Sequence, residues 1–192
     1  MATFPVRTRR WTRKEYDRLV ELGILHEDEP IELISGQLIV AEPKGSPHTT
    51  AVELTAEALR AAFGPGWVVR GQEPVALDDE SEPEPDVVVV PGTHRDYRDA
   101  HPSQPALLVE VSASTLGFDQ RYKGSVYARA GVADYWIVNL VDEVLEVYRR
   151  PAPEPSAEFG WRYLDVEVFR TGARVSPLAR PDVTIAVADL LP

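Results

Sequence analysis

The sequence predicts an α/β fold: a mixed sheet flanked by helices on its faces. Three observations predict it. Two largely apolar, β-branched runs, DVVVV at 86–90 and ALLVEVS at 106–112, read as central strands covered on both sides. Amphipathic stretches with cap residues read as helices, and Gly- and Pro-marked turns separate these elements in the order αββα, three strands, a helix, then more strands. With 192 residues and neither repeat nor linker, the chain is expected to form one domain over residues 1–192.

Each element has its own signal. Thr12 and Glu15 fit a capping box, with Trp11 and Tyr16 flanking the cap, and Gly23 ends that helix. IELISGQLIV at 31–40 reads as a hairpin around Ser35-Gly36. Ser46-Pro47 is expected to open a second helix, Ser46 as cap and Pro47 in the first turn, ending at Gly64-Pro65. Residues 67–77 look extended, and the acidic, Pro-rich DDESEPEP leads into the strand at 86–90. After the strand at 106–112, residues 119–130 read as a helix stopped by Gly131. DYWIVNL and EVLEVYR make a second hairpin, 151–160 is expected to be a Pro-rich loop, and short strands are expected at 161–168 and 183–187.

Composition narrows the chemistry. Cysteine is absent, which excludes disulfides and thiolate metal sites and suits a cytoplasmic location. A bound metal would be held by oxygen or imidazole ligands, which favours a hard ion such as Mg²⁺ or Mn²⁺. No apolar stretch approaches the roughly 20 residues of a membrane span, and the first residues carry no apolar signal core, so neither a membrane nor secretion is expected. The net charge of −11 opposes the basic surface usual in nucleic-acid binders. One segment runs the other way: Arg7, Arg9, Arg10, Arg13 and Lys14 surround Trp11 in a basic stretch at 7–14. It reads equally as a solvated arm or as a phosphate-contacting one.

Chemistry concentrates in three places. Asp86 introduces one buried strand, Glu110 lies inside the next, and Lys123 lies on the helix that follows. On neighbouring strands both carboxylates would meet at one end of the sheet, as a Mg²⁺ site requires, and the Val111 carbonyl would add an oxygen. Lys123 would then orient the attacking water or stabilise the charged transition state. Glu110 is the most informative residue, because a lone carboxylate in an apolar strand costs several kcal/mol unless it is paired. Each also has a plainer reading: Glu110 in a buried ion pair, Asp86 in a turn, Lys123 in solvent. Asp119, Lys123 and Tyr127 recur every four residues on one helix face, which either points at the site or holds an internal Asp119–Lys123 pair. His48 near a helix start reads as a cap or surface residue, or as a group at the site. Tyr135 and Trp136 read as core rather than a base-stacking platform. Ser112, Ser114 and Thr115 form a polar turn that would also suit phosphate. No nucleophile elbow and no cysteine support a covalent hydrolase, and no organic cofactor is implied.

PEPD at 83–86, LLVEVSAST at 107–115, D-x-x-x-K-x-x-x-Y from 119 and GVADYWIVN at 131–139 resemble the Uma-type restriction endonuclease family, a bacterial group within the PD-(D/E)XK nuclease superfamily. The hairpin IELISGQLIV and the position of His48 agree, and the resemblance runs over roughly residues 10–190. It implies a restriction-endonuclease-like core that hydrolyses phosphodiester bonds in DNA with Mg²⁺ or Mn²⁺. Asp86 would be the aspartate of the PD motif and Glu110 the second metal-binding acid. The superfamily lysine normally two residues later is replaced by Ser112, and Lys123 matches the helix-borne lysine of this family. Glu32 would correspond to an N-terminal glutamate that many members add to the metal site. Ala113 replaces the proline of SPST, and Asn139 stands where an aspartate is usual; both lie off the expected ligands. The alternative is a catalytically inactive nuclease-like domain that binds nucleic acid or regulates. A homodimer is expected, because two sites suit a duplex and the hairpin 134–149 would leave an edge strand.

Overall fold

The computed structural model describes residues 8–26, 29–41 and 44–192. Helix α1 (Arg13–Glu21) begins as expected: Thr12 accepts from the Glu15 amide while the Glu15 carboxylate reaches back to the Thr12 amide. Strands β1 (Ile31–Ile34) and β2 (Gln37–Val40) pair antiparallel. Their two-residue turn holds Ser35 and Gly36 at φ 48° and 75°, the primed geometry that matches strand twist. A Cβ on Gly36 would come within 2.8 Å of the Arg10 Cβ, so glycine is required there twice over.

Helix α2 (Ser46–Phe63) starts one residue earlier than expected. Gly45 is its cap, and Ser46 and Pro47 are already helical, since proline lacks an amide that the first turn would leave unpaired anyway. The main sheet contains β3 (Trp67–Gly71), β4 (Val87–Pro91), β5 (Leu107–Ser112), β6 (Asp134–Asn139), β7 (Val144–Pro153) and β8 (Trp161–Arg170), in that spatial order. All neighbours are antiparallel except β5 and β6, which run parallel. The crossover between those two is helical: α3 (Leu116–Phe118), a π-helical turn (Asp119–Lys123) and α4 (Gly124–Arg129). It begins before the expected residue 119 and carries a π turn that hydrophobic periodicity does not signal. A two-stranded ladder of β9 (Arg174–Val175) and β10 (Ile185–Ala186) completes the chain.

Two of the expectations fail for one reason. The Pro-rich stretch after residue 150 is not all loop, because β7 continues to Pro153 against β8. Beyond Arg149, β7 has no β6 partner, and a proline needs no amide on a free edge. The hairpin at 134–149 is therefore interior, and β3 and β8 are the edges.

Apolar side chains fill both faces of the sheet. On one face α2 lays Val52, Ala56, Leu59 and Phe63 against Val87, Val89, Leu107, Val109 and Trp136. On the other, α4 lays Val126 and Tyr127 against Val88, Leu108, Tyr135 and Ile137. Alternation along β5 thus sets Leu108 and Glu110 on the α4 face and Val109 and Val111 on the α2 face. Tyr135 and Trp136 are core, as read from the sequence.

Candidate active site

Strand register brings the acids together. Val88 faces Leu108 across the β4–β5 ladder, and extending that register two residues sets Asp86 opposite Glu110 on the same face. The Val111 amide donates to Asp86 Oδ2 at 2.9 Å, tying the two strands at this point. Both acids line one cavity of about 340 Å³, whose wall also includes Glu32, Glu84, Asp119, Lys123, Lys44 and His48.

The helical crossover aims at this cavity. Lys123 Nζ donates to Glu110 Oε1 at 3.1 Å and lies 3.3 Å from Glu32 Oε2. Tyr127, one turn further on, donates its hydroxyl to Glu110 Oε1 at 2.6 Å. Asp119 does not pair along the helix with Lys123; it accepts from Ser112 Oγ at 2.7 Å and Thr115 Oγ1 at 2.8 Å. The polar turn after β5 therefore positions Asp119, while Ser114 and Thr115 line the cavity. The π turn inserts one residue into the helical spacing between Asp119 and Gly124, and the Gly124 Cα packs where a Cβ would lie 3.3 Å from the Asp119 carbonyl.

Two groups escaped the sequence reading, or were half seen. Lys44 Nζ donates to Asp86 Oδ1 at 3.0 Å, and His48 Nε2 lies 3.2 Å from Asp86 Oδ2. Both come from the entry to α2, which carries the histidine already singled out; a lysine beside Gly-Ser-Pro gives no stronger sign. Gln72 Nε2 reaches Asp86 Oδ1 at 3.4 Å. Glu32 accepts the Glu84 amide and lies against Lys123 in the same cavity wall.

Electrostatics divide the two central acids. Burial pushes Asp86 up, but the His48 hydrogen bond, the Lys44 charge and the Val111 amide outweigh it, holding the carboxyl below the usual carboxylate range. Burial dominates at Glu110 and raises it to about 8, with Lys123 pulling the other way and Asp119, Asp86 and Glu32 adding to the rise. Burial also raises Asp119. Around Lys123, burial favours the neutral amine, but Glu110, Glu32 and Asp119 overcome it and hold the ammonium. Four buried carboxylates, Glu32, Asp86, Glu110 and Asp119, thus face two lysines.

That donor set suits a hard divalent cation: carboxylate oxygens, an excess of negative charge and no sulfur. Glu110 lines the cavity, and its Oε2 accepts no hydrogen bond among the described residues. The residues therefore fit such an ion in kind. In arrangement, no three His, Asp or Glu side chains gather to hold one among the described residues.

The basic segment near the N-terminus is largely paired with acids of the same chain. Arg9 meets Glu15, Arg10 meets Glu80 and the Ser35 carbonyl, and Arg13 meets Glu82. Arg7 lies outside the described residues.

The sequence from residue 13 to residue 188 matches a family model described as "Uma2: Putative restriction endonuclease". The chain belongs to this family. Among solved structures it is similar to "a putative nuclease belonging to DUF820" from Anabaena variabilis ATCC 29413, at 17% identity and a TM-score of 0.65. The likeness covers 90% of this chain and 96% of that one, and it carries the fold alone. No curated protein matches. The chain thus has a nuclease-like, restriction-endonuclease-like fold, a six-stranded mixed sheet flanked by helices. Among the described residues, no helix is long and apolar enough to cross a membrane.

Proposed function

We propose that the chain is a single-domain, metal-dependent endonuclease that hydrolyses phosphodiester bonds in DNA, with Asp86, Glu110 and Lys123 as its reaction centre and Glu32 supporting Lys123. One observation carries this reading: Asp86 and Glu110 face each other on adjacent strands in a shared cavity, with the Lys123 ammonium on Glu110. A binding surface has no need to bury a lysine among acids.

Asp86 and Glu110 would hold Mg²⁺ or Mn²⁺, helped by the carbonyl of Val111, which lies on the strand edge whose amide already meets Asp86. A divalent cation supplies positive charge to the phosphoryl oxygens as negative charge builds there. The protein's own groups do the rest. Val111 and His48 fix Asp86, Tyr127 fixes Glu110, and Lys123, its direction set by Glu110 and Glu32, orients the attacking water or stabilises the phosphorane-like transition state.

A second reading has an observation in its favour. With Lys44 and His48 on Asp86 and no three-ligand group assembled among the described residues, the same cavity suits a catalytically inactive domain that binds nucleic acid or regulates. Assays of DNA cleavage and DNA binding, run separately with Mg²⁺ and with Mn²⁺, decide between them. The enzyme reading expects wild type to cleave and Glu110→Gln to bind but not cleave. A wild type that binds DNA and never cleaves it, with Glu110→Gln binding equally, supports the inactive domain. Cytoplasmic location and a homodimer complete the proposal; the exposed Leu164, Val166 and Val168 on edge strand β8 support the dimer.

A further inference from the structure

Asp86 is held by two kinds of partner. Its Oδ2 sits on the Val111 amide, part of the sheet, and on His48, a side chain of the long helix α2. Its Oδ1 is held by Lys44 at 3.0 Å and more distantly by Gln72 at 3.4 Å. The Lys44 side chain is 36% exposed, against 7% for Lys123. Lys123 is bound to acids on two different elements, whereas Asp86 is the single hydrogen-bond partner of the Lys44 ammonium among the described residues. The same chemical group thus occurs twice at one site, once locked in and once able to swing out on a flexible stem.

We propose that the Lys44 ammonium is a built-in stand-in for the divalent cation at Asp86, and that the ion enters by exchange with it. This deepens the metal-centre reading above and rests on it. A buried carboxylate stripped of its counter-charge is strongly destabilising, so an empty site needs a cation on Asp86 to keep its shape. Lys44 supplies that charge from the cavity mouth. An arriving ion must take the same oxygen, and it replaces one positive charge with two amid four carboxylates. The ammonium then turns to solvent while Oδ2 stays fixed, so the site exchanges cations without rebuilding its strands.

The chain contains three lysines: Lys14, Lys44 and Lys123. Lys14 is exposed and serves as an internal reference. The experiment measures trace acylation of each lysine by mass spectrometry, with and without saturating Mn²⁺, alongside Mn²⁺ binding followed by the EPR signal of the free ion. Exchange predicts that Mn²⁺ raises the reactivity of Lys44 relative to Lys14 by about fivefold, the scale of releasing a partly exposed ion pair, while Lys123 stays protected. Lys44→Met should bind Mn²⁺ more tightly by a similar factor, because no ammonium competes. Wild type that binds Mn²⁺ with Lys44 reactivity unchanged would overturn the exchange and leave the metal centre standing. Mn²⁺ binding by Lys44→Met but not by wild type would also overturn the exchange, since the ammonium would then block the ion instead of yielding to it. Binding by neither protein would remove the metal centre, and the exchange with it.

Discussion

Glu110 was readable because of where it stands. An ionisable group among Leu108, Val109 and Val111 must find partners, and it finds Lys123 and Tyr127. Lys44 was not readable, since a lysine just before a helix cap is solvated unless a remote carboxylate claims it, and Asp86 is 42 residues away. Two substitutions here have measurable outcomes. Lys123→Met should leave Mn²⁺ affinity nearly intact or raise it, because a nearby positive charge is gone, yet lower DNA cleavage by about 10²–10³ if the lysine is an electrostatic stabiliser. Parallel binding and cleavage measurements check this, and equal losses in both would make Lys123 a metal-site scaffold instead. The second concerns pH. An acid raised from an unfolded value near 4.5 to about 8 is protonated more readily in the folded chain, so its contribution to stability is lost as pH rises through that window. In chelator-treated protein, urea midpoints from pH 5 to pH 8 should therefore fall less steeply for Glu110→Gln than for wild type. A steeper fall in the variant contradicts the burial of an acid there.

Elements were legible where local chemistry decides them, and illegible where the tertiary surroundings do. The capping box of α1 and the Ser35-Gly36 turn are local, and both stand as read. The length of β7 is not local: Pro151 and Pro153 look like loop residues until β8 pairs with one side while, among the described residues, no strand pairs with the other. The π turn likewise answers to the site, since it sets Asp119 and Lys123 toward different partners. Gly36→Ala should lower stability by about 1–2 kcal/mol, combining a positive φ with the Arg10 contact, and urea denaturation with an unchanged slope would register it. The basic stretch carries a different expectation now that its arginines hold Glu15, Glu80 and Glu82. Neutralising Arg9, Arg10 and Arg13 together should change the salt slope of DNA binding by less than about one, where three true phosphate contacts would change it by about three. A change near three would restore the segment as a phosphate-contacting arm.

Across the whole molecule, the order of motifs carried the family, and the net charge of −11 carried a warning that the fold does not remove. Some of that charge surrounds Lys123 and Lys44 in the cavity, a donor set that suits a small divalent cation. On the proposed reading DNA is engaged chiefly through the cation site, so binding should strengthen when Mg²⁺ or Mn²⁺ is present. The apolar edge at β8 gives the assembly its test. Light scattering should return a dimer mass for wild type and a monomer mass for Val166→Lys, with circular dichroism unchanged; a wild-type monomer at micromolar concentration would refute the dimer.

The claim on which the rest depends is that Asp86 and Glu110 share a cation. Crystals soaked in Mn²⁺ and measured for anomalous scattering test it most directly. One strong peak is expected between the Asp86 and Glu110 carboxylates, at about 2.0–2.2 Å from oxygen ligands, with Lys123 still on Glu110. Full soaking that leaves this cavity without a peak, or a peak held by other residues, would contradict it.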